Sequence, residues 1–349
     1  MRTKRMTISP KNDLVYQPSS KKSRTTALIM LLIMCFFWGT TFPLMKWGVA
    51  IIEEDYLDSA SKIGPIVFLA MRYALAALIL PFFLLLEKRG GKRLSGRAVK
   101  FSAILCLLFL SSMYLQVYGL RLITPAVSAF VTNLTTVFVP LVMWIILRKP
   151  PAGRVAIAAL VAFIGVGLIS YVPDESLIPA GTVNDVYLGV GLTVGCAIIF
   201  ALFIIYTDYA TKREDPIMIS ILVIAMSAVG AIMSLVVVAD LGPIVESLPA
   251  MLSDYDLMMP VVVTAVFATA YATYAWNRWQ RELSPSRAAV LYTTEPVFTL
   301  IISVSIGEDD LRTLLVIGGL CIIVANIWCE RGFPRPKELE EFSPRVNVD

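Results

Sequence analysis

The 349-residue chain has no histidine, which removes imidazole metal sites, Ser-His-Asp hydrolysis and histidine proton relays. Cysteine is scarce. Cys35, Cys106, Cys196, Cys321 and Cys329 lie inside or at the edge of apolar runs, so they form neither a disulfide framework nor a CxxC metal site and read as small packing residues. No Gly-x-x-x-x-Gly-Lys-[Ser/Thr] sequence is present, so no P-loop couples ATP within this chain. Charge is also thin. Only 16% of residues are Asp, Glu, Lys or Arg against 57% apolar, and the mean hydropathy is +0.75, far above what a soluble core of this size needs.

The apolar residues fall into ten runs: 27–50, 65–86, 100–120, 125–147, 155–172, 187–207, 217–239, 257–276, 286–306 and 311–329. Each is long enough to cross a hydrocarbon layer of ~30 Å at ~1.5 Å of rise per residue. The expectation is an all-α integral membrane protein of ten transmembrane helices. Residues 1–26 and 330–349 are left as polar tails, the first basic enough to touch anionic lipid through Lys21, Lys22 and Arg24. A signal peptide is not expected, because the first apolar run is too long and lacks a small-x-small cleavage site.

Charge sign alternates between successive loops. Both tails and the loops near Glu87, Arg148, Lys212 and Arg281 hold 25 of the 30 Lys and Arg; the alternate loops hold only Lys62, Arg121 and Arg312. Basic residues beside a span resist translocation, so both termini are expected in the cytoplasm of a multi-pass plasma (inner) membrane protein. The net charge of +4 is then an orientation signal, and no nucleic-acid partner is expected.

An internal repeat supports division of the chain. At an offset of 160, Tyr114/Tyr274, Arg121/Arg281, Pro125/Pro285, Ala129/Ala289, Val137/Val297 and Phe138/Phe298 coincide, superposing spans three and four on spans eight and nine. Two units of five spans, 27–172 and 187–329, follow. Five is odd, so the halves cross in opposite senses, the inverted-repeat plan of many secondary transporters.

Trp38-Gly39-Thr40-Thr41-Phe42 with Lys46, Phe68-x-x-x-Arg72-Tyr73, Glu295-Pro296-Val297, Gly307-Glu308 and Gly318 occur in that order. Together they resemble the drug/metabolite transporter superfamily, in particular its EamA-type ten-helix members. The resemblance implies two five-helix repeats, cytosolic termini, and transport, usually export, of amino acids, metabolites or drugs. Two departures stand out. Span four ends in Leu147-Arg148-Lys149-Pro150-Pro151 where the family often has Gly-Glu, and the segments 173–186 and 240–256 are longer than tight hairpins.

Apart from Lys100, Arg287 and Arg312 in the first two positions of their runs, three charges lie within them: Lys46, Arg72 and Glu295. Glu295 falls near the middle of span nine, where a charge costs at least ~2.5 kcal/mol and so faces a cavity or a partner. It is the leading candidate for a protonation switch or for holding a substrate amine, with protons as a coupling ion. Lys46 reads either as a snorkelling residue or as a cavity cation that attracts a substrate carboxylate or neutralises Glu295; Arg72 reads as an ion-pair or helix-tying residue. Proline at 43, 140 and 296 deprives the carbonyls of Gly39, Thr136 and Tyr292 of their helical donors, so Pro43, Pro140 and Pro296 mark candidate helix breaks.

Helical spacing then nominates a lining: Trp38, Thr41 and Met45 in span one; Tyr114 in span three; Ser128, Thr132, Asn133, Thr135 and Thr136 in span four; Tyr271 and Tyr274 in span eight; Tyr292, Glu295, Thr299 and Ser303 in span nine. A small organic substrate is expected there, with no cofactor and no metal; oligomeric state is not legible. Gly189, Gly191 and Gly195 read as helix packing. An intramembrane enzyme would need a second buried carboxylate or a nucleophile and base beside Glu295, and a non-transporting receptor would be favoured by a soluble domain. Neither feature is present in the sequence.

Overall fold

The structure, a computed structural model, describes residues 21–57, 62–85, 94–147, 153–171, 182–283 and 291–330. Every regular element among them is helical. In chain order they are α1 (Lys21–Ile51, running on as a π turn Ile52–Tyr56), α2 (Gly64–Leu85), α3 (Gly96–Leu120), α4 (Pro125–Thr132), α5 (Thr135–Leu147), α6 (Gly153–Ser170) and α7 (Val183–Thr211). There follow α8 (Pro216–Val238), α9 (Leu241–Ser253), α10 (Tyr255–Ala265, continued by a π turn Val266–Tyr271), α11 (Ala272–Trp279), α12 (Glu295–Ser305) and α13 (Thr313–Glu330).

Eight of the described helical segments are long and apolar enough to cross a membrane, and Glu295–Ser305 and Thr313–Cys329 are shorter apolar helices. The chain is an all-α, multi-pass membrane protein. Local chemistry sets the helix starts. Ser95 accepts from Ala98 N at 3.0 Å, Asp215 from Ile217 N at 2.9 Å and Asp254 from Asp256 N at 2.8 Å, while Thr182 and Asp185 form a capping box. Each such cap is worth about 1 kcal/mol.

Helices approach closely where glycine removes the side chain. A Cβ on Gly165 would lie 2.7 Å from the Gly318 carbonyl oxygen, joining α6 to α13; one on Gly119 would lie 2.8 Å from the Gly189 carbonyl oxygen, joining α3 to α7. Gly189 therefore packs helices, as its spacing indicated. The remaining major packings are α2 and α3 on α8 and α1 on α10 and α12. Four of the five cysteines are buried and Cys321 is half-buried, all as free thiols.

The interruptions do not fall where proline alone would put them. Pro43 stays inside a continuous α1, and span four turns at Asn133–Leu134, upstream of Pro140. Span nine turns at Thr293–Thr294, so that Glu295 and Pro296 open α12, where a missing proline N–H costs nothing. The two turns are 160 residues apart, the offset of the sequence repeat. The segment 240–256, long for a hairpin, is mostly helix α9.

Candidate functional site

Gly39 lets α1 and α12 meet. A Cβ there would lie 2.8 Å from Phe298 Cβ and 2.9 Å from the Glu295 carbonyl oxygen. Pro43 leaves the Gly39 carbonyl without a helical donor, and the Thr299 hydroxyl supplies one at 3.0 Å. The start of α12 is thereby clamped against the middle of α1.

Glu295 stands at this junction. Its carboxylate is only part-buried, lies near Cys35, and has no hydrogen-bond or ion-pair partner among the described residues. Cys35 in turn packs in an aromatic cluster. Tyr292 stacks on Trp276 with centroids 5.0 Å apart and planes 6° apart, and Trp38 leans on both at 5.4 Å from Trp276 and 6.3 Å from Tyr292. Trp38 Nε1 donates to the Ala268 carbonyl at 3.1 Å, and the Tyr292 hydroxyl is buried without a partner.

The Ala268 carbonyl belongs to the π turn of span eight. The widened turn lets the Thr269 hydroxyl donate to the Thr264 carbonyl at 2.9 Å while its oxygen accepts from Arg72 Nε at 3.0 Å. Arg72 Nη1 approaches Met45 Sδ at 3.1 Å, and its guanidinium lies 5.6 Å from the Tyr73 ring centroid. Arg72 is thus buried with no carboxylate partner among the described residues, and does not reach outward to an interface. Trp38 connects the two lone charges: its indole holds Ala268, next to the Arg72 partner Thr269, and its ring meets Tyr292, three residues before Glu295 across the turn.

Tyr271 packs in the same cluster as Trp38, Trp276 and Tyr292, and the other nominated residues make contacts of their own. Lys46 does not neutralise Glu295; its Nζ pairs with Glu308 Oε2 at 3.1 Å. Glu308 is delivered by Gly307, whose φ of +80° only glycine adopts readily, in a turn where Glu308 N reaches the Ser303 carbonyl at 2.8 Å. Asp309 in the same turn accepts from Ser303 Oγ at 2.5 Å and from Ala126 N at 2.9 Å, tying the end of α12 to the start of α4. Asn133 lies at the span-four turn, where Asn326 Nδ2 donates to its carbonyl at 3.1 Å. Thr41 donates to Phe37 O at 3.0 Å within α1, Tyr271 to Met30 O at 3.1 Å, and Cys329 Sγ meets the Thr136 carbonyl freed by Pro140 at 3.8 Å. Tyr114 packs with the first-half core beside Ser234, and Tyr274 with the cluster that holds Ala76 and Leu80.

Sequence reading missed Cys35, Thr269 and Trp276. The π turn accounts for the last two, because an extra residue in the turn shifts the face of span eight, leaving Tyr271 and Trp276 in the Trp38 cluster and Tyr274 in another. No signal in the apolar run announces it.

The arrangement is a helical bundle that keeps a carboxylate partly open at the α1–α12 junction, with no group of three His, Cys, Asp or Glu residues able to hold a metal among the described residues. A solved protein structure that is 13% identical shares the fold at a TM-score of 0.57, covering 87% of this chain and 96% of that one. Fold and helix length define the class of polytopic all-α membrane proteins. The chain belongs to the EamA-like transporter family, whose model matches it twice, over residues 25–171 and 187–328. Among similar proteins are an uncharacterised transporter of Archaeoglobus fulgidus, 24% identical over 87% of this chain and 85% of that protein, and the uncharacterised transporter YyaM of Bacillus subtilis, 25% identical over 85% and 90%. Family membership makes it a transporter and not an enzyme.

Proposed function

We propose that this protein is a secondary transporter, working as an exporter, that moves a small organic solute such as an amino acid or related metabolite by alternating access. Ten spans form two inverted five-helix units, 27–172 and 187–329, with both termini in the cytoplasm of the plasma membrane. The paired turns at Asn133–Leu134 and Thr293–Thr294 and the double family match support that plan.

The observation that carries the reading is Glu295, a carboxylate left without a partner among the described residues, part-open and near Cys35, which packs in one cluster with Trp38, Trp276 and Tyr292. A charge at such depth persists where water, a proton or a ligand meets it. Aromatic faces beside a carboxylate suit an amphipathic solute bearing an amine. Glu295 is the proton-coupling or amine-binding group, Trp38 and Tyr292 line the site, and Arg72 holds α2 to the π turn.

Closure of one end of the bundle supports alternating access. Lys46–Glu308, Arg121–Glu53 at 2.7 Å and Asp309 at the start of α4 all tie helices together at the end where α1 and α12 finish. Opening that end requires these contacts to part. The test is counterflow in proteoliposomes against amino acids, nucleobases and organic cations, with and without an imposed pH gradient. Saturable flux supports the reading; absence of flux for every solute defeats it.

A further inference from the structure

α9 shows three different faces. Ile244 and Met251 are buried against the protein, and Ser247 Oγ donates to the Tyr56 carbonyl at 3.3 Å. Gly242, Glu246 and Ser253 are exposed on a second, polar face. Leu241, Val245, Leu248 and Leu252, at spacings of four, three and four, form an exposed apolar stripe between them, with Val245 63% and Leu252 55% exposed. No described residue covers that stripe.

Thirteen residues rise only about 20 Å, too short to cross a bilayer. The helix instead begins just after α8 ends and leads into α10, so it lies at the membrane boundary. Val236, Val237 and Val238, at the end of the membrane-length helix α8, are likewise exposed and apolar. Protein, hydrocarbon and water thus each have one face, the geometry of a helix lying in the interface plane.

The charges decide what kind of lipid surface it fits. Asp240, Glu246, Asp254 and Asp256 are all acidic, and no Lys or Arg occurs between them. Adsorption rests on apolar burial, and an anionic headgroup layer would oppose it. We propose that α9 is an interfacial helix whose Leu241–Val245–Leu248–Leu252 stripe seats in the acyl boundary of a zwitterionic leaflet and holds the end of α1 there through Tyr56. Tyr56 is gripped twice, by Ser247 at its carbonyl and by Asp254 Oδ2 at its hydroxyl, 2.9 Å away.

The experiment uses nitroxide labels on Val245→Cys, Leu252→Cys, Glu246→Cys and Ser253→Cys in the full chain, reconstituted in phosphatidylcholine vesicles. Wild type, with its buried or half-buried cysteines, sets the labelling background. The expected result is several-fold greater relaxation by oxygen than by a water-soluble nickel chelate at 245 and 252, with the order reversed at 246 and 253. Equal nickel access at all four positions overturns the proposal. Shielding at 245 and 252 with dipolar broadening that disappears on dilution with unlabelled protein also overturns it, since a second copy would then cover the stripe. Deeper burial on adding phosphatidylglycerol contradicts the choice of a zwitterionic surface. A Leu248→Cys label reports the same stripe if either outer variant fails to fold.

Discussion

The Thr299 hydroxyl donates to the Gly39 carbonyl across the α1–α12 contact at 3.0 Å, meeting the acceptor that Pro43 strips of its helical donor. The bond couples the kink of one helix to the first turn of the other, and that turn carries Glu295. Thr299→Val should leave a buried carbonyl unpaired and cost about 1–3 kcal/mol, whereas Thr299→Ser should be close to neutral. Thermal unfolding in detergent distinguishes the two; equal stability of both variants would remove the clamp from the account.

Gly39→Ala tests the same contact from the other side. Two of the atoms its Cβ would meet, Phe298 Cβ at 2.8 Å and the Glu295 carbonyl oxygen at 2.9 Å, cannot swing away as a side-chain tip would. Overpacking of this kind costs typically about 1–3 kcal/mol, and transport should fall with stability. Gly191→Ala, with open space around it, should be silent in both assays.

Glu53 and Arg121 form a pair with side-chain exposures of 10% and 22%. Arg121→Ala should therefore destabilise by a few kcal/mol, of order ~3, by leaving an uncompensated carboxylate, while Glu53→Gln combined with Arg121→Gln should recover most of it. Lys46 with Glu308 is more open, so its stability contribution should be under ~1 kcal/mol after solvent screening. Its effect should appear in transport: Lys46→Glu impairs flux, and Lys46→Glu with Glu308→Lys restores it.

The Tyr56 hydroxyl holds the half-buried Asp254 carboxyl below the usual aspartate range. A folded-state pKa below the unfolded one stabilises the fold above the unfolded value, and the gain is lost as pH falls through the folded value. Wild type should thus exceed Tyr56→Phe in stability at neutral pH, with the difference shrinking below about pH 4. A difference that grows on acidification would contradict this origin.

Much of the fold was legible because its causes are written residue by residue. Apolar length and loop charge gave the helical membrane class, and the pairing of Tyr114–Phe138 with Tyr274–Phe298 pointed to positions that both carry helix turns. Glu295 was visible from depth alone. The rest depended on partners brought from far along the chain. Lys46 is claimed by Glu308 because Gly307 reverses the chain there, and Asn133 is claimed by Asn326 because its turn exposes a carbonyl. Arg72 is enclosed, and its partner Thr269 reaches it through a π turn that periodicity does not reveal.

The central claim is that Glu295 couples or binds the transported solute. Flux measured in proteoliposomes for wild type and Glu295→Gln, over a range of pH and with an imposed proton gradient, tests it most directly. The account predicts gradient-driven flux for wild type, and for folded, membrane-inserted Glu295→Gln either abolished coupling or lost binding. Wild-type flux from that variant at every pH would contradict it.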